Sequence, residues 1–431
     1  MIKVLLRISA VLVCISLALS CETITEEPIT EHTYPEASDN NSDIIPLDEA
    51  MSNLKSTFEY LYGTTKALDT GYSIQTLTKS DILQYTKSDD GIVLPDTLLY
   101  LVNFAEERGY AVLSASRKLS EDTYCITESG KITTDDLRRA VGQMNDSANA
   151  SFDGRIIPSG IDFVPSLIMS SVILESSGIT ENDEEDTICT KADEVYGPFV
   201  KTKWGQTTVS SIRVFNRYTP NHAACGCVVT AVAQIMLCNK FPQAAGIVFD
   251  GFLCNWTDME KVLHYSAINS PHCSIDTVGF EQVAHFVREL GKSDNVKVRY
   301  GDSDEDESSA YAEGAQRTFQ NYGYRDVDKH LGFGSRKQKI ADKVLRGGRP
   351  VYLGGYGNGS GHAWVLDGLK GEYYHINWGW YGKSDGYYSK GVFRTSQRSE
   401  TDSIVDTQVV NSKYHHYYKN FRMVTYGAFN N

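Results

Sequence analysis

Apolar and polar positions divide the chain into segments of different character. An apolar run fills the first twenty residues, and a polar, acidic stretch with several prolines follows it to about residue 48. From about 49 to 175, runs such as LLYLVNFA and GYAVLSAS predict strands and DDLRRAVGQMNDSANA predicts a helix, which together indicate a compact α+β unit. The predicted segments are 1–20, 21–48, 49–177 (the N-terminal unit), 178–195 and 196–431 (the C-terminal unit).

The two acidic stretches are predicted to be exposed connections. Residues 21–48 have the composition of a solvated tether. Residues 178–195 contain the acidic run ENDEED, and an exposed linker of this kind is where proteases cut. A chain of 431 residues also exceeds what one core usually encloses, so two folded units are expected.

The N-terminus has the features of an export signal. Lys3 and Arg7 stand in and around an apolar run that ends in small residues. The run stops at Ala-Leu-Ser-Cys21, which looks like a lipobox, so we expect a lipoprotein signal at 1–20 with lipid attached to Cys21. An ordinary secretory signal and an uncleaved anchor stay open. We expect a lipoprotein of the bacterial cell envelope, at the outer membrane or cell surface, with release of the mature domain as an alternative.

A buried helix is predicted in the C-terminal unit. In CGCVVTAVAQIMLCNKFP, residues 225–242, apolar side chains occur all round the helix that would follow Cys227, and Asn239 with Pro242 supplies a stop. Cys227 would then occupy the first turn, where free N–H groups and the helix dipole favour a thiolate and lower its pKa. Cys225 would lie in the loop before the helix. Packed small residues or a local disulfide are the alternatives.

A hairpin further along the chain offers a partner for such a thiol. HAWVLDG and EYYHINWGW predict two strands joined by a turn at 368–371. A two- or four-residue loop would place Asn377 opposite His362, and a three-residue loop would place Trp378 there. An amide that fixes an imidazole and an indole that shields it suit a histidine that activates a nucleophile. A histidine of an aromatic core is the alternative.

The stretch KTKWGQ supplies a third candidate, some twenty residues before Cys227. The side chain of Gln206 could complete an oxyanion hole with the backbone N–H of Cys227. A surface glutamine is the alternative.

Composition limits the other classes of function. The net charge of -14 and the lack of a basic stripe argue against a nucleic-acid partner. Of nine cysteines, Cys14 would leave with the signal and Cys21 would carry lipid, so an odd number remains and at least one thiol should be free. The C-x-C pair lacks the second pair of a zinc site, so we expect no metal and no cofactor. Membrane contact is expected only through the lipid on Cys21, because no later stretch is long and apolar enough to span a bilayer.

Together these motifs resemble those of the streptopain family of cysteine peptidases, most closely in GCVVTAVAQIM, GHAWVLDG and HINWGWYGKSDGYY. The resemblance implies an α+β chain with a papain-like domain, made of a helical lobe and an antiparallel sheet lobe, after a smaller α+β prodomain. The roles it implies are nucleophile for Cys227, general base for His362, oxyanion residue for Gln206, and orientation and shielding of His362 for Asn377 and Trp378. Cys225 would be a bystander, with both cysteines reduced in the active enzyme.

The resemblance further implies a zymogen. The N-terminal unit would be an inhibitory prodomain, a cut within 186–195 would release the mature enzyme, and protein or peptide substrates would be hydrolysed. A separate inhibitor protein stays open as a further partner. The alternatives are an acyltransferase or a cell-wall amidase on the same scaffold, and a catalytically silent surface-binding lipoprotein.

Overall fold

The computed structural model describes most of the chain after the tether. The described residues are 43–83, 94–146, 163–176, 194–209, 212–244, 246–263, 277–304, 306–357, 360–393 and 420–429. They belong to one compact unit that begins at Asp43. The predicted signal, most of the tether and most of the linker lie outside the described residues. No helix among those described is long and apolar enough to cross a membrane.

Ten α-helices occur in the described part of the chain. They are α1 Leu47–Tyr62, α2 Lys66–Asp69, α3 Lys79–Leu83, α4 Thr134–Asp146, α5 Phe163–Ser176, α6 Cys227–Asn239, α7 Trp256–Glu260, α8 Thr277–Leu290, α9 Glu313–Asn321 and α10 Ser335–Arg346. The predicted buried helix is confirmed as α6, which starts at Cys227 and ends at Asn239. Gly226 before it has a φ of 93°, a conformation that glycine adopts without strain.

The strands of the described residues pair antiparallel. They are β1 Tyr72–Thr78, β2 Thr97–Phe104, β3 Tyr110–Ser114, β4 Thr123–Thr127, β5 Val195–Tyr196, β6 Thr208–Val209, β7 Ile212–Arg213, β8 Ile247–Phe249, β9 Phe252–Cys254, β10 Asp328–Leu331, β11 Val351–Gly357, β12 Ser360–Lys370, β13 Tyr373–Asn377, β14 Gly386–Ser389 and β15 Asn420–Thr425. One sheet has the order β1-β2-β3-β4-β14-β13-β12-β11-β15-β10, with β5 added to β12. The α+β class predicted from the pattern is confirmed.

This sheet runs from the N-terminal unit into the C-terminal unit. Strand β4 pairs with β14, with Cys125 opposite Tyr388 and Ile126 opposite Tyr387. Helices α4, α5 and α10 contribute to one core on one face of the sheet. On the other face, α1 packs on the N-terminal strands, and α6, α8 and α9 pack on the C-terminal strands. The predicted boundaries between the units stay a prediction.

The predicted hairpin exists as β12 and β13, but its predicted turn and register are wrong. The turn is the pair Gly371–Glu372, and Asn377 lies opposite Val365 rather than His362. The strand continues through Gly368, where the pairing shifts at a bulge. A Cβ on Gly368 would lie 2.8 Å from Cβ of His375. The glycine therefore permits a close approach inside the sheet and does not mark the turn.

Candidate active site

The start of α6 lies against the segment that carries Gln206. The N–H of Cys225 donates to the carbonyl of Gln206 at 2.9 Å. The hydroxyl of Thr230, in the first turn of α6, donates to the carbonyl of Gly205 at 3.2 Å. Gln206 is half-buried and lines a cavity of about 300 Å³ together with Trp380 and other residues. The structure thus brings Gln206 to the N-terminus of the helix that begins with Cys227.

The thiols at this helix start are free, buried and neutral. Burial raises the pKa of both Cys225 and Cys227 to about 12, although hydrogen bonds from the backbone of Ala363 and Val228 partly oppose the shift at Cys227. The expectation of a lowered pKa at Cys227 is therefore wrong for this structure, because desolvation outweighs the helix N-terminus. A thiol in this state is a poor nucleophile.

His362 lies in β12 and is likewise neutral. Its Nε2 donates to the carbonyl of Trp378 at 2.7 Å, so the proton resides on Nε2. Its Nδ1 has no hydrogen-bond partner among the described residues. Burial lowers the pKa of the imidazole to about 4. The predicted thiolate–imidazolium pair with Cys227 is not formed in this structure.

Aromatic rings enclose the imidazole. Its centroid lies 4.3 Å from that of Trp380, 6.1 Å from Trp378 and 6.3 Å from Trp364. The fourth ring, at 5.7 Å, belongs to Phe163, the first residue of α5. A helix of the N-terminal unit therefore covers the candidate general base.

Cys227 packs on the other side of the same strand. Trp364 belongs to the core that contains Phe163, whereas Ala363 and Val365 belong to the core that contains Cys227. Side chains alternate between the two faces of a strand, so β12 separates these groups. The imidazole would have to leave the rings and the Trp378 carbonyl to meet the thiol.

Asn377 does not contact His362. Its Oδ1 accepts from Nε2 of Gln234 at 2.9 Å and from the N–H of Gly379 at 3.0 Å, and its Nδ2 donates to the carbonyl of Thr202 at 2.6 Å. Two of these hydrogen bonds are to backbone groups and the third is to the side chain of Gln234 in α6. In this structure the carbonyl of Trp378 accepts the hydrogen bond from the imidazole, a role that the sequence predicted for the side chain of Asn377.

Two further residues support this arrangement and were missed from the sequence. Asp385 accepts the N–H of Trp378 at 2.9 Å, and burial raises the pKa of its carboxyl to about 7. Gln234 is buried in α6 and bonded to Asn377. The sequence does indicate a role for Gln234, because a long polar side chain inside an apolar helix needs a buried hydrogen-bond partner. Asp385 gave no local signal, since its partner depends on the fold of the loop after β13.

A second histidine joins the two units through charged groups. His375 in β13 contacts Asp367 of β12 through Nδ1 at 2.6 Å and Glu128 through Nε2 at 3.2 Å. Lys203 lies 3.6 Å from Glu128. Burial alone would lower the pKa of His375, but Asp367 and Glu128 raise it to about 10. Glu128 directly follows β4, so this protonated histidine binds a carboxylate of the N-terminal unit.

No group of three or more His, Cys, Asp and Glu side chains among the described residues could hold a metal ion.

Comparisons with known proteins give consistent matches. Residues 204–388 match the model of the Peptidase C10 family. Streptopain of Streptococcus pyogenes serotype M1 is 27% identical over 300 residues, which cover 62% of this chain and 72% of streptopain. The thiol protease/hemagglutinin PrtT of Porphyromonas gingivalis is 29% identical over 178 residues, or 38% of this chain and 20% of that protein. A solved fragment of prointerpain A from Prevotella intermedia has a TM-score of 0.49 and 19% identity, over 83% of this chain and all 100% of the fragment.

Proposed function

Because the chain belongs to the streptopain family and is a cysteine endopeptidase, we propose that it is made as a zymogen whose catalytic pair is Cys227 and His362. The N-terminal unit, 49–177, is its inhibitory prodomain. The observation that carries this proposal is the contact of Phe163 with His362, 5.7 Å between ring centroids. A helix from outside the family match thereby covers the histidine, on the face of β12 away from Cys227.

In the mature enzyme, the Cys227 thiolate paired with protonated His362 attacks the scissile carbonyl. The side chain of Gln206 and the N–H of Cys227 donate to the oxyanion of the tetrahedral intermediate. His362 gives its proton to the leaving amine, and water then hydrolyses the acyl-enzyme and regenerates the thiol. Trp378 shields the pair, and Asn377 fixes the loop that carries Trp378.

Latency follows from the electrostatics of the covered site. A thiol with a pKa of about 12 and an imidazole with a pKa of about 4 do not exchange a proton near neutral pH. Removal of α5 would free the space beside His362 and admit water to both groups. Desolvation then decreases, and the helix N-terminus can stabilise the thiolate.

The wider architecture and location belong to the same proposal. Helices α6, α8 and α9 form the helical lobe of a papain-like domain, and strands β10 to β15 form its sheet lobe. The chain is exported and held at the cell envelope by lipid on Cys21, and cleavage within 186–195 separates the catalytic unit from its prodomain. Proteins and peptides are the substrates.

The test is intact mass over time for the chain without residues 1–21, in reducing buffer with casein as substrate. We expect the wild type to convert to a species that begins within 186–195 and to digest casein at many sites, whereas Cys227→Ala stays full length and inactive. Casein digestion by Cys227→Ala at the wild-type rate would refute the catalytic assignment. A single altered bond in cell-wall peptide, with casein untouched, would favour the amidase alternative.

A further inference from the structure

We propose that Gln234 is a positioning residue of the peptidase, which holds the segment 202–206 and the loop after β13 at a fixed separation beside α6. The inference rests on the proposed function, because it concerns the same site.

The side chain of Gln234 makes three hydrogen bonds in a buried site. Its Oε1 accepts from the hydroxyl of Thr202 at 2.8 Å and from the N–H of Trp204 at 3.3 Å, and its Nε2 donates to Oδ1 of Asn377 at 2.9 Å. The orientation of both amides is determined, because the N–H of Trp204 requires an oxygen on Gln234 and the N–H of Gly379 requires an oxygen on Asn377.

Each partner lies next to a residue with a proposed catalytic role. Trp204 precedes Gln206 by two residues, and Asn377 directly precedes Trp378, whose carbonyl holds His362. Cys227 stands seven residues before Gln234 in α6, so the two share a face of the helix about 10 Å apart along its axis. Gln234 thus connects the three segments that carry the proposed machinery.

A second link closes the other end of this arrangement. The N–H of Tyr381 donates to the carbonyl of Trp204 at 3.1 Å, and the Tyr381 hydroxyl accepts from the N–H of Thr207 at 3.0 Å. Gly205 permits this contact, since a Cβ there would lie 2.1 Å from the Tyr381 ring. The loop after β13 and the segment 202–207 are therefore joined at two places, by Tyr381 and by Gln234 of α6. Removing the link through Gln234 should let the two segments shift relative to Cys227.

Such a shift affects turnover more than substrate affinity. Oxyanion donors and a general base act only within a few tenths of an ångström of their productive places. The cavity beside the site is lined by Gln206, Trp380 and Tyr381, among others, but not by Gln234. Loss of Gln234 should therefore lower kcat and leave KM nearly unchanged.

The experiment compares Gln234→Leu with Gln282→Leu in the chain without residues 1–21. Gln282 is a matched control: it is a buried glutamine in α8, it donates to Asp258 at 3.1 Å and accepts from the N–H of Asn255 at 2.7 Å, and it lies outside the site. A recognition sequence for a site-specific protease within 186–191 lets one external cut mature every variant. Active sites are counted by titration with a thiol-reactive peptidyl inhibitor.

We expect Gln234→Leu to lower kcat per titrated site about 10- to 100-fold with KM within about 2-fold of wild type. Gln282→Leu should keep wild-type kcat even if its melting temperature falls. Equal kcat in the two variants would overturn the inference.

A second variant, Gln234→Glu, tests the donated hydrogen bond alone. Its carboxylate still accepts from Thr202 and Trp204 but cannot donate to Asn377, whereas its protonated form restores the donor. Groups that titrate or carry charge on α6 and on the segments near it include Lys203, Cys227, Cys238, His362, Asp367 and Asp385. The readout is therefore kcat of the variant divided by that of wild type at each pH, which cancels their shared titration.

We expect this ratio to rise as pH falls, because protonation of the buried carboxyl restores the link. A ratio that stays constant across pH would overturn the inference, since a purely structural loss has no such dependence. If the wild type neither labels at Cys227 nor cleaves casein, the proposed function fails and this inference with it. If the wild type is fully active and both Gln234 variants match the Gln282 control, only this inference fails.

Discussion

At the scale of single residues, the sequence predicts the position of Cys227 at the start of a helix but does not predict the surroundings of His362. The start of α6 at Cys227 was readable, because a buried helix of this length has a local apolar pattern and a local stop signal. The state of His362 was not readable, because its neighbours come from α5 and from the loop after β13. Burial by distant segments decides both the pKa of the imidazole and its hydrogen-bond partner.

Replacement of Phe163 by Ala should partly release the zymogen. The side chain is 6% exposed and touches His362, Trp364 and Trp378, so its loss opens the covered face and costs about 3–5 kcal/mol of stability. We expect faster self-conversion by intact mass and faster labelling of Cys227 at neutral pH. Phe58→Ala is the matched control, since Phe58 is also 6% exposed but belongs to α1 and packs in a different core from that of Phe163. Equal acceleration in both variants would mean that general destabilisation, and not cover of His362, causes the effect.

At the scale of elements, the hairpin β12–β13 was predicted and its register was not. The alternation of side chains and the glycine-containing connection predicted two strands. Gly368 looked like part of the turn, but it marks the bulge that shifts Asn377 away from His362. The sequence does not distinguish a glycine within a strand from a glycine in a turn. Gly368 lies within the strand because His375 and β5 approach it closely, and these contacts depend on the fold.

The contact between Glu128 and His375 should make docking of the N-terminal unit dependent on pH. The pKa of His375 is raised to about 10, above its ordinary value of about 6.5, so its stabilising contribution is present below about pH 6.5 and is lost as pH rises toward about 10. In a Cys227→Ala background, Glu128→Gln should lower the free energy of unfolding by about 1–3 kcal/mol at neutral pH. It should also reduce the loss of stability at alkaline pH, because Glu128 is one of the groups that raise the pKa of His375.

Melting temperatures at about pH 6.5 and pH 9.5 measure this effect. Glu107→Gln is the control, because Glu107 is an exposed acid of the same unit whose ion pair is with Lys131. An alkaline fall in melting temperature that is the same with and without Glu128→Gln would contradict the role of this contact.

At the scale of the whole molecule, one antiparallel sheet passes through both predicted units. The sequence indicated two α+β regions, but the pairing of β4 with β14 joins residues far apart in the chain, and no local pattern specifies it. The sequence predicts an inhibitory N-terminal unit through the family resemblance, but it does not predict that Phe163 is the residue that contacts His362, for the same reason. Through this sheet and through α5, the N-terminal unit contacts the part of the chain that carries the candidate site.

The most direct test is the alkylation rate of Cys227 by iodoacetamide as a function of pH, with intact mass separating full-length from matured chains and peptide mapping locating the label. In the full-length chain we expect slow labelling at neutral pH that rises about tenfold per pH unit toward the pKa of about 12. In the matured chain we expect fast labelling that is already at its plateau near neutral pH, because the thiolate is paired with His362. Equal, fast labelling of both forms at neutral pH would contradict the account.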